Sequence, residues 1–315
     1  MKRQHAFEFR TMTKEVRACL CVSVLARRHF FSLLLLAIGL SFSVSASASY
    51  MMDSTLTVES MRLRRTFAMM EKAAGEGDVS AQLWLADVYA SGKGGRRNDA
   101  KALDWYLRAA QKGSSNAYYN LAVLYILGRG VEINPAVGAR WLRKAAQAGD
   151  AEAQYYLGQM YYNGEGVKTN HKKAARWWAR GALQNEKKSL FNLGLSHYRG
   201  QGVRQDDSEA FSMWERAAKQ GLKEAQYSLG VMYDIGRGTA RDAARAQNLF
   251  RLAAEQGHPL AQYALGILYE TGEDGMPLNI IEAIKWYEQA ARQGVIQAVR
   301  RLQFLRGSEG LGPAR

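Results

Sequence analysis

The stretch AEAQYYLGQMYYNGEGV at residues 151–167, followed by KKAARWWARGA at residues 172–182, decides the fold of this 315-residue chain. In the first segment, apolar and small residues recur every three to four positions, which is the period of one helix face. Gly164 and Gly166 interrupt this pattern, and the second segment restores it. The sequence therefore predicts two amphipathic helices joined by a glycine-containing turn.

This helix-turn-helix pattern recurs six times with a period of 36 residues, and the last repeat has one additional residue. In the first helix of every repeat, a leucine is followed directly by alanine or glycine, which lets paired helices approach closely. Stacked repeats bury their apolar faces against their neighbours. We expect an all-α fold, a right-handed superhelical α/α solenoid. The predicted repeats are 78–113, 114–149, 150–185, 186–221, 222–257 and 258–294.

Helix ends also repeat in fixed columns. Glycine pairs mark the turn, beginning with Gly92 and Gly94 in the first repeat. The column that closes each unit contains only glycine or asparagine, which accept the left-handed conformation that ends a helix. These residues are Gly77, Gly113, Gly149, Asn185, Gly221, Gly257 and Gly294. The column before the second helix contains good N-caps, namely Asn98, Asn134, Asn170, Asp206, Asp242 and Asn279.

The first 48 residues have the layout of a secretory signal peptide. The uncharged run at residues 30–44 is shorter than the roughly 20 residues of a membrane-spanning helix, and residues 46–48 form a small-residue cleavage site. We expect a periplasmic or secreted mature protein that begins at Ser49. The alternative is an uncleaved anchor in the inner membrane that holds the protein facing the periplasm.

The export route stays open at this point. Arg27 and Arg28 directly precede the apolar run, which resembles a twin-arginine signal. The simpler alternative is an ordinary basic leader read from a start codon placed too early, with Met12 as the true start.

Removal of the leader changes the charge and the cysteine content. The whole chain has 43 Lys and Arg against 29 Asp and Glu, a net charge of +14. The leader holds seven basic and two acidic residues, so the mature chain carries +9. Cys19 and Cys21 also lie in the leader, which leaves the mature chain without a thiol. A basic chain favours acidic partners, but export weighs against nucleic acid.

Half repeats are expected at both ends, because an isolated repeat cannot bury its own apolar face. Residues 49–56 are predicted to be a linker, and residues 57–77 an N-terminal half-repeat cap. Residues 295–306 are predicted to form a C-terminal capping helix before a flexible tail at residues 307–315.

The unit resembles the Sel-one-like repeat, a relative of the tetratricopeptide repeat with a Gly-x-Gly-Val extension of the turn. The resemblance covers residues 78–294 and departs from the pattern at Ser189, at His197 and after Gly238, where the valine is missing. It implies a protein that scaffolds complexes in envelope regulation, polysaccharide production, secretion or host contact. Cysteine-rich relatives are linked to penicillin binding and β-lactam hydrolysis, but their cysteine pair in each repeat is missing from the mature chain.

The sequence predicts no catalytic residue, no metal site and no cofactor. The Gly-x-Gly turns lie between helices and lack the Lys-Ser/Thr of a phosphate-binding P-loop. His171, His197 and His258 occupy different columns of different repeats, so they are not expected to share a metal ion. We therefore expect the protein not to be an enzyme.

If the superhelix follows the tetratricopeptide pattern, first-helix residues line a concave groove that binds a peptide from a partner protein. Aromatic residues occupy many of these positions and could act as anchors, although rings at helical spacing can instead pack against the neighbouring helix. The predicted protein-binding residues are Tyr119, Tyr155, Tyr162, Phe191, Tyr198, Tyr227 and Tyr263.

Basic residues cluster on the second helices of the second and third repeats. They predict either a solvated convex face or a surface that binds an acidic glycan or lipid. The function expected is that of a monomeric, non-catalytic adaptor or regulator in the bacterial envelope, whose protein partner the sequence does not identify. The basic residues are Arg140, Arg143, Lys144, Lys172, Lys173, Arg176 and Arg180.

Overall fold

The computed structural model describes residues 46–95 and 97–308, which contain fourteen α-helices. Apart from its last three residues, the predicted signal peptide lies outside this part of the chain. The described chain divides into two compact units, with the boundary after Trp105, inside α3. The helices are α1 Ala46–Gly75, α2 Val79–Ser91, α3 Asp99–Gln111, α4 Ser115–Leu127, α5 Pro135–Gln147, α6 Ala151–Asn163, α7 His171–Leu183, α8 Lys187–Arg199, α9 Asp207–Lys219, α10 Lys223–Ile235, α11 Ala243–Glu255, α12 Pro259–Thr271, α13 Ile280–Arg292 and α14 Ile296–Ser308.

Within the second unit, consecutive helices pack in pairs, as the repeat pattern predicts. The in-repeat pairs are α4 with α5, α6 with α7, α8 with α9, α10 with α11 and α12 with α13. Each second helix also packs against the first helix of the next repeat, and α13 packs against α14 in the same way. The expected all-α solenoid of helix pairs is confirmed for this unit.

The predicted helix ends are confirmed at every closing position. All six glycines of the column have positive φ, and Asn185, the exception in sequence, has φ 56°. Asparagine tolerates this conformation better than most other residues. The first turn differs from the prediction. There Gly92 and Gly95 have positive φ, while Gly94 lies inside the 3₁₀ turn Lys93–Gly95.

First helices have their own N-caps, which the sequence analysis did not assign. The side chain of Asp150 accepts a hydrogen bond from the Ala153 N–H at 2.8 Å. The imidazole Nδ1 of His258 accepts from the Ala261 N–H at 3.2 Å, which gives this histidine a structural role. Leu222 makes no such bond.

Close approach of paired helices depends on the small column beside the leucine. A Cβ atom at Gly194 would lie 2.7 Å from the Trp214 indole, and one at Gly230 would lie 2.8 Å from the Phe250 ring. Real Cβ atoms do not approach other atoms this closely. Each glycine therefore makes room for a large ring from the second helix of its own repeat.

Buried glutamines of the first helices join neighbouring repeats in the second unit, and together with their glutamine partners we call them the glutamine ladder. Gln154 is 4% exposed, and its Nε2 donates to the Ala146 carbonyl at the end of the preceding helix, 3.0 Å away. Its Oε1 accepts from Gln184 at 2.9 Å. The pairs Gln226–Gln256 and Gln262–Gln293 repeat this contact, each at 2.7 Å. These bonds satisfy amides that would be costly to bury unpaired.

The ends of the array differ in part from the prediction. Helix α1 begins at Ala46, so the expected linker at residues 49–56 is helical. In this first unit, Phe67 is 3% exposed and packs edge-on against Tyr89, with ring centroids 5.8 Å apart. At the other end, α14 forms where a capping helix was predicted, with Ala298 fully buried. Among the described residues, no helix is long and apolar enough to cross a membrane.

Candidate functional site

The seven predicted protein-binding residues all lie on first helices of the second unit. We call their surface the first-helix face, defined by Tyr119, Tyr155, Tyr162, Phe191, Tyr198, Tyr227 and Tyr263. Phe191 is only 6% exposed, whereas the six tyrosines are half-buried. Each ring therefore contributes to packing, and each tyrosine also contributes to the surface.

The ring bodies pack against the second helix of their own repeat. Phe191 and Tyr198 lie on either side of position 194, and both contact Trp214, with centroid separations of 6.2 and 5.3 Å. In the last repeat, Tyr263 contacts Tyr287 at 5.6 Å. The aromatic columns are thus part of the in-repeat core at their inner edges.

The outer ends of the tyrosines are held by the next repeat. The Tyr162 hydroxyl donates to Gln201 at 3.0 Å, and the Tyr119 hydroxyl donates to Glu152 at 3.2 Å. The Lys188 ammonium lies 5.4 Å from the centre of the Tyr155 ring. Each partner follows its tyrosine in the sequence by 33 to 39 residues, so each contact joins two neighbouring repeats.

Tyr198 has the best-defined surroundings on this face. The guanidinium of Arg237 lies 3.9 Å from the centre of its ring, a cation–π distance. Arg237 is also ion-paired with Asp207 at 2.9 Å, and this hydrogen bond raises the pKa of the guanidinium. The ring of Tyr198 is therefore fixed between Trp214 and Arg237.

Tyr227 and His258 stack with their ring centroids 4.6 Å apart. Burial, and secondarily the charge of Asp234, raises the pKa of the Tyr227 hydroxyl to about 12. Burial, and secondarily the charge of Lys223, lowers the pKa of His258 to about 4. Both rings are thus neutral near pH 7.

A polar cluster closes this face in the last repeat. The hydroxyl of the fully buried Tyr287 donates to Glu270 at 2.7 Å. Arg301 of α14 pairs with the same carboxylate at 2.7 Å. Burial and the Glu270 hydrogen bond raise the pKa of Tyr287. The cluster therefore links the capping helix to the sixth repeat, and the sequence analysis missed it because its members lie in three different helices.

A second surface lies on the second helices of the second and third repeats. We call it the basic face, defined by Arg140, Arg143, Lys144, Lys172, Lys173, Arg176 and Arg180. Two of these cations lie over tryptophan rings of their own helices. Lys144 is 4.4 Å from the centre of the Trp141 ring, and Arg180 is 4.6 Å from that of Trp177.

The basic face contains a cleft of about 430 Å³. Arg143 donates a hydrogen bond to the Tyr161 hydroxyl at 2.8 Å, at one wall of this cleft. Of the lining residues, the sequence predicts only Arg143 and Lys173 as part of the basic face and Asn170 as an N-cap. The others lie on α6 and in the turn that follows it. The lining residues are Arg143, Tyr161, Val167, Lys168, Thr169, Asn170 and Lys173.

His171 and His258 have different structural roles. His171 contacts the Tyr162 ring at 4.9 Å, and His258 caps α12. Among residues 46–95 and 97–308, no three His, Cys, Asp or Glu side chains are grouped so that they could hold a metal ion.

Five consecutive helix pairs in the second unit, each with glycine after its first helix and asparagine or aspartate before its second, define a helical repeat protein. The Sel1 repeat pattern matches six segments that together span residues 79–295, so the chain belongs to the Sel1 repeat family. Each matched segment starts one residue after the repeat predicted above. The segments are 79–114, 115–150, 151–186, 187–222, 223–258 and 259–295.

Two solved structures show the same fold. One is c5321, a protective antigen of uropathogenic Escherichia coli strains that displays an SLR fold; it is 31% identical over 79% of this chain, with a TM-score of 0.73. This chain spans only 53% of the length of c5321. The other is a Sel1 repeat protein from Oxalobacter formigenes, 29% identical over 69% of this chain and 89% of that one, with a TM-score of 0.63. No curated protein matches the chain significantly.

Proposed function

We propose that this Sel1 repeat protein is an exported, non-catalytic scaffold that binds another protein of the bacterial envelope through its first-helix face. One observation carries the proposal: the half-buried tyrosines of this face are already held in place by neighbouring repeats. Ordering a free side chain on binding costs about 0.5–1.5 kcal/mol. Rings such as Tyr162 and Tyr198 avoid most of that cost, which makes them good anchors for a partner.

The composition of the face also suits a peptide ligand. Between the rings lie half-buried side chains of mixed character, Gln159, Leu195 and Val231. An interface with aromatic anchors among small apolar and polar contacts is typical of protein recognition. A helical or extended segment with apolar residues at regular spacing is the ligand we expect.

Site-specific photo-crosslinking tests the proposed face. A photo-reactive amino acid replaces Gln159 or Leu195 on the face, and in a matched control it replaces Leu183, which is 83% exposed at the end of α7. After irradiation of living cells, we expect the same crosslinked partner from both face positions and none from the control. A partner captured equally well at Leu183, or nothing captured at either face position, would contradict the proposal.

Export is proposed from the leader sequence, and the description of c5321 as a protective antigen is compatible with it. Cell fractionation and N-terminal sequencing test it together. We expect a periplasmic or secreted chain that begins at Ser49. A full-length chain in the inner-membrane fraction would support the anchor alternative, and recovery in the cytoplasm would refute export.

The absence of catalysis is tested with the β-lactam nitrocefin, the substrate suggested by the cysteine-rich relatives. We expect no hydrolysis by the purified mature chain above that of buffer. Turnover that survives further purification would refute a purely non-catalytic role.

A second candidate function is binding of an acidic glycan or lipid surface by the basic face. This function is favoured because the cations of the basic face, unlike many others in the second unit, do not form ion pairs with described carboxylates. The second unit pairs many of its cations near its C-terminal end, as in Arg241–Asp274 and Arg306–Glu288. No residue of the basic face forms an ion pair with a described carboxylate. Binding through this face should weaken as salt rises from about 50 to 200 mM.

A further inference from the structure

The charge of the second unit is distributed unevenly along the chain. The second and third predicted repeats contain nine Lys and Arg against four Asp and Glu, whereas the sixth contains two against five. Solvent-exposed cations without nearby carboxylates create a local positive potential that attracts anions. The second and third repeats are therefore the part of the described chain where an anionic ligand is most favoured.

Some of the cations of this region lie together in the cleft between α5 and the turn that joins α6 to α7. Three cations line it, Arg143, Lys168 and Lys173, and no acidic side chain is among its lining residues. Lys173 lies 5.3 Å from the centre of the Tyr161 ring. None of the three cations forms an ion pair within the described part of the chain.

The cleft is partly organised before a ligand arrives. The bond from Arg143 Nη2 to the Tyr161 hydroxyl fixes the guanidinium at one wall, and Tyr161 itself is only 6% exposed. Thr169 and Asn170 add a hydroxyl and a side-chain amide to the lining. The side-chain oxygen Oδ1 of Asn170 caps α7 by accepting from the Lys173 N–H at 2.8 Å. Its NH₂ group is therefore the part that can donate to a ligand.

We propose that this cleft binds a phosphate group. A phosphate ester offers several acceptor oxygens and a charge of up to about −2, which matches one guanidinium and two ammonium groups better than a single carboxylate does. Arginine contributes the planar pair of donors that recognises oxyanions, and the lysines contribute flexible point charges. The inference rests on the second candidate function and assigns it to one cleft and one chemical group.

Two sources could supply the group, a phospholipid headgroup and a soluble phosphate. Calorimetric titration with inorganic phosphate tests the second source. Flotation with phosphatidylglycerol vesicles, compared with neutral phosphatidylcholine vesicles, tests the first. Alginate, a carboxylate polymer without phosphate, serves as the probe for the basic face in general.

The decisive comparison uses two double variants that remove the same charge. Lys168→Gln with Lys173→Gln changes the cleft, whereas Lys187→Gln with Arg204→Gln changes exposed cations of the fourth repeat, outside the basic face. We expect the cleft variant to bind phosphate or phosphatidylglycerol at least tenfold more weakly, and the control variant to change less than threefold. All four positions are exposed, and circular dichroism of both variants verifies that they fold.

The outcomes separate the cleft from the wider face. If the wild-type chain binds one of the phosphate probes and both variants weaken it equally, the binding follows net charge alone, and the cleft is not the site. If the chain binds alginate and neither phosphate probe, the phosphate assignment is wrong and the basic-face function stands. If it binds none of the probes, both proposals are overturned.

Discussion

The indole Nε1 of Trp214 donates a hydrogen bond to the backbone carbonyl of Phe191, 3.0 Å away in the first helix of the same repeat. The same bond joins Trp178 to the Tyr155 carbonyl at 3.2 Å. Each indole is thereby held across the glycine of its own repeat, and it cannot move aside without breaking a buried hydrogen bond. This arrangement explains why a glycine of the small column occurs together with a large ring on the second helix of the same repeat.

Replacement of Gly194 by alanine should destabilise the fold. The added methyl group would lie 2.7 Å from Trp214, and the tethered indole cannot easily retreat. We expect the free energy of unfolding to fall by about 1–3 kcal/mol, as for other overpacked cores, measured by urea denaturation. Gly307→Ala is the control, because a Cβ there meets nothing within 4 Å. Equal losses in the two variants would contradict the packing argument.

The glutamine ladder should couple the two helices of one repeat energetically. Gln154→Ala removes the buried amide that bonds both Ala146 and Gln184, and we expect a loss of about 1–3 kcal/mol. Gln184→Ala should cost less, because that side chain is exposed. The two residues share a bond, so a double-mutant cycle should give a coupling energy of about 0.5–1.5 kcal/mol. Strictly additive effects would show that the bond contributes nothing.

Asn185 allows the backbone requirement of the closing column to be measured directly. Its φ is 56°, and its side chain accepts a hydrogen bond from Arg216. Asn185→Gly and Asn185→Ala both remove that bond, but only alanine is strained at positive φ. We expect the alanine variant to be less stable than the glycine variant by about 1–2 kcal/mol, seen as a lower Tm. Equal Tm values would argue that the position does not need the left-handed conformation.

Stability should decrease between about pH 6.5 and 4 because of His258. The pKa of this residue falls from 6.5 in the unfolded chain to about 4 in the folded one, since burial and, to a smaller extent, Lys223 disfavour the imidazolium. The unfolded chain therefore takes up a proton first as the pH falls. The stabilisation is complete above about pH 6.5 and is lost as the pH falls toward 4, with a total on the order of 3 kcal/mol.

The matched variant for this prediction is His258→Asn. Asparagine can still cap α12 by accepting from the Ala261 N–H, but it does not titrate. Urea denaturation of both proteins at several pH values should show a shallower decrease for the variant over this interval. Carboxylates titrate in both chains, so only the difference between the curves reports His258. Parallel curves would refute the assignment.

Helix boundaries could be predicted from the sequence because they depend on local chemistry. The left-handed conformation of Asn185 and the cap at Asn170 involve only a few consecutive residues, so a residue type at a fixed position is enough to indicate them. The turn of the first repeat was misassigned by one residue, since Gly94 and Gly95 are adjacent and either could satisfy the pattern.

The degree to which each residue of the candidate site is buried could not be predicted in the same way. Spacing correctly placed Phe191 and Tyr198 in different columns of one helix, but it did not show that the first is nearly buried while the second is half-buried. That difference depends on Trp214 from the next helix and on Arg237, which lies 39 residues beyond Tyr198. Such contacts are not encoded in any short window of the chain.

The periodicity of leucine, small residues and caps was sufficient to define an α/α repeat protein, because each column acts through the local geometry of one helix pair. The pairing of charges was different. Arg237 forms an ion pair with Asp207. Arg143 and Lys173 form none with a carboxylate of the described chain, and they line a common cleft with Lys168. Whether a cation lies close to a carboxylate depends on how far each repeat is rotated and displaced from the preceding one. This placement results from the packing of whole helices, so only the folded structure could distinguish a paired cation from one available to a ligand.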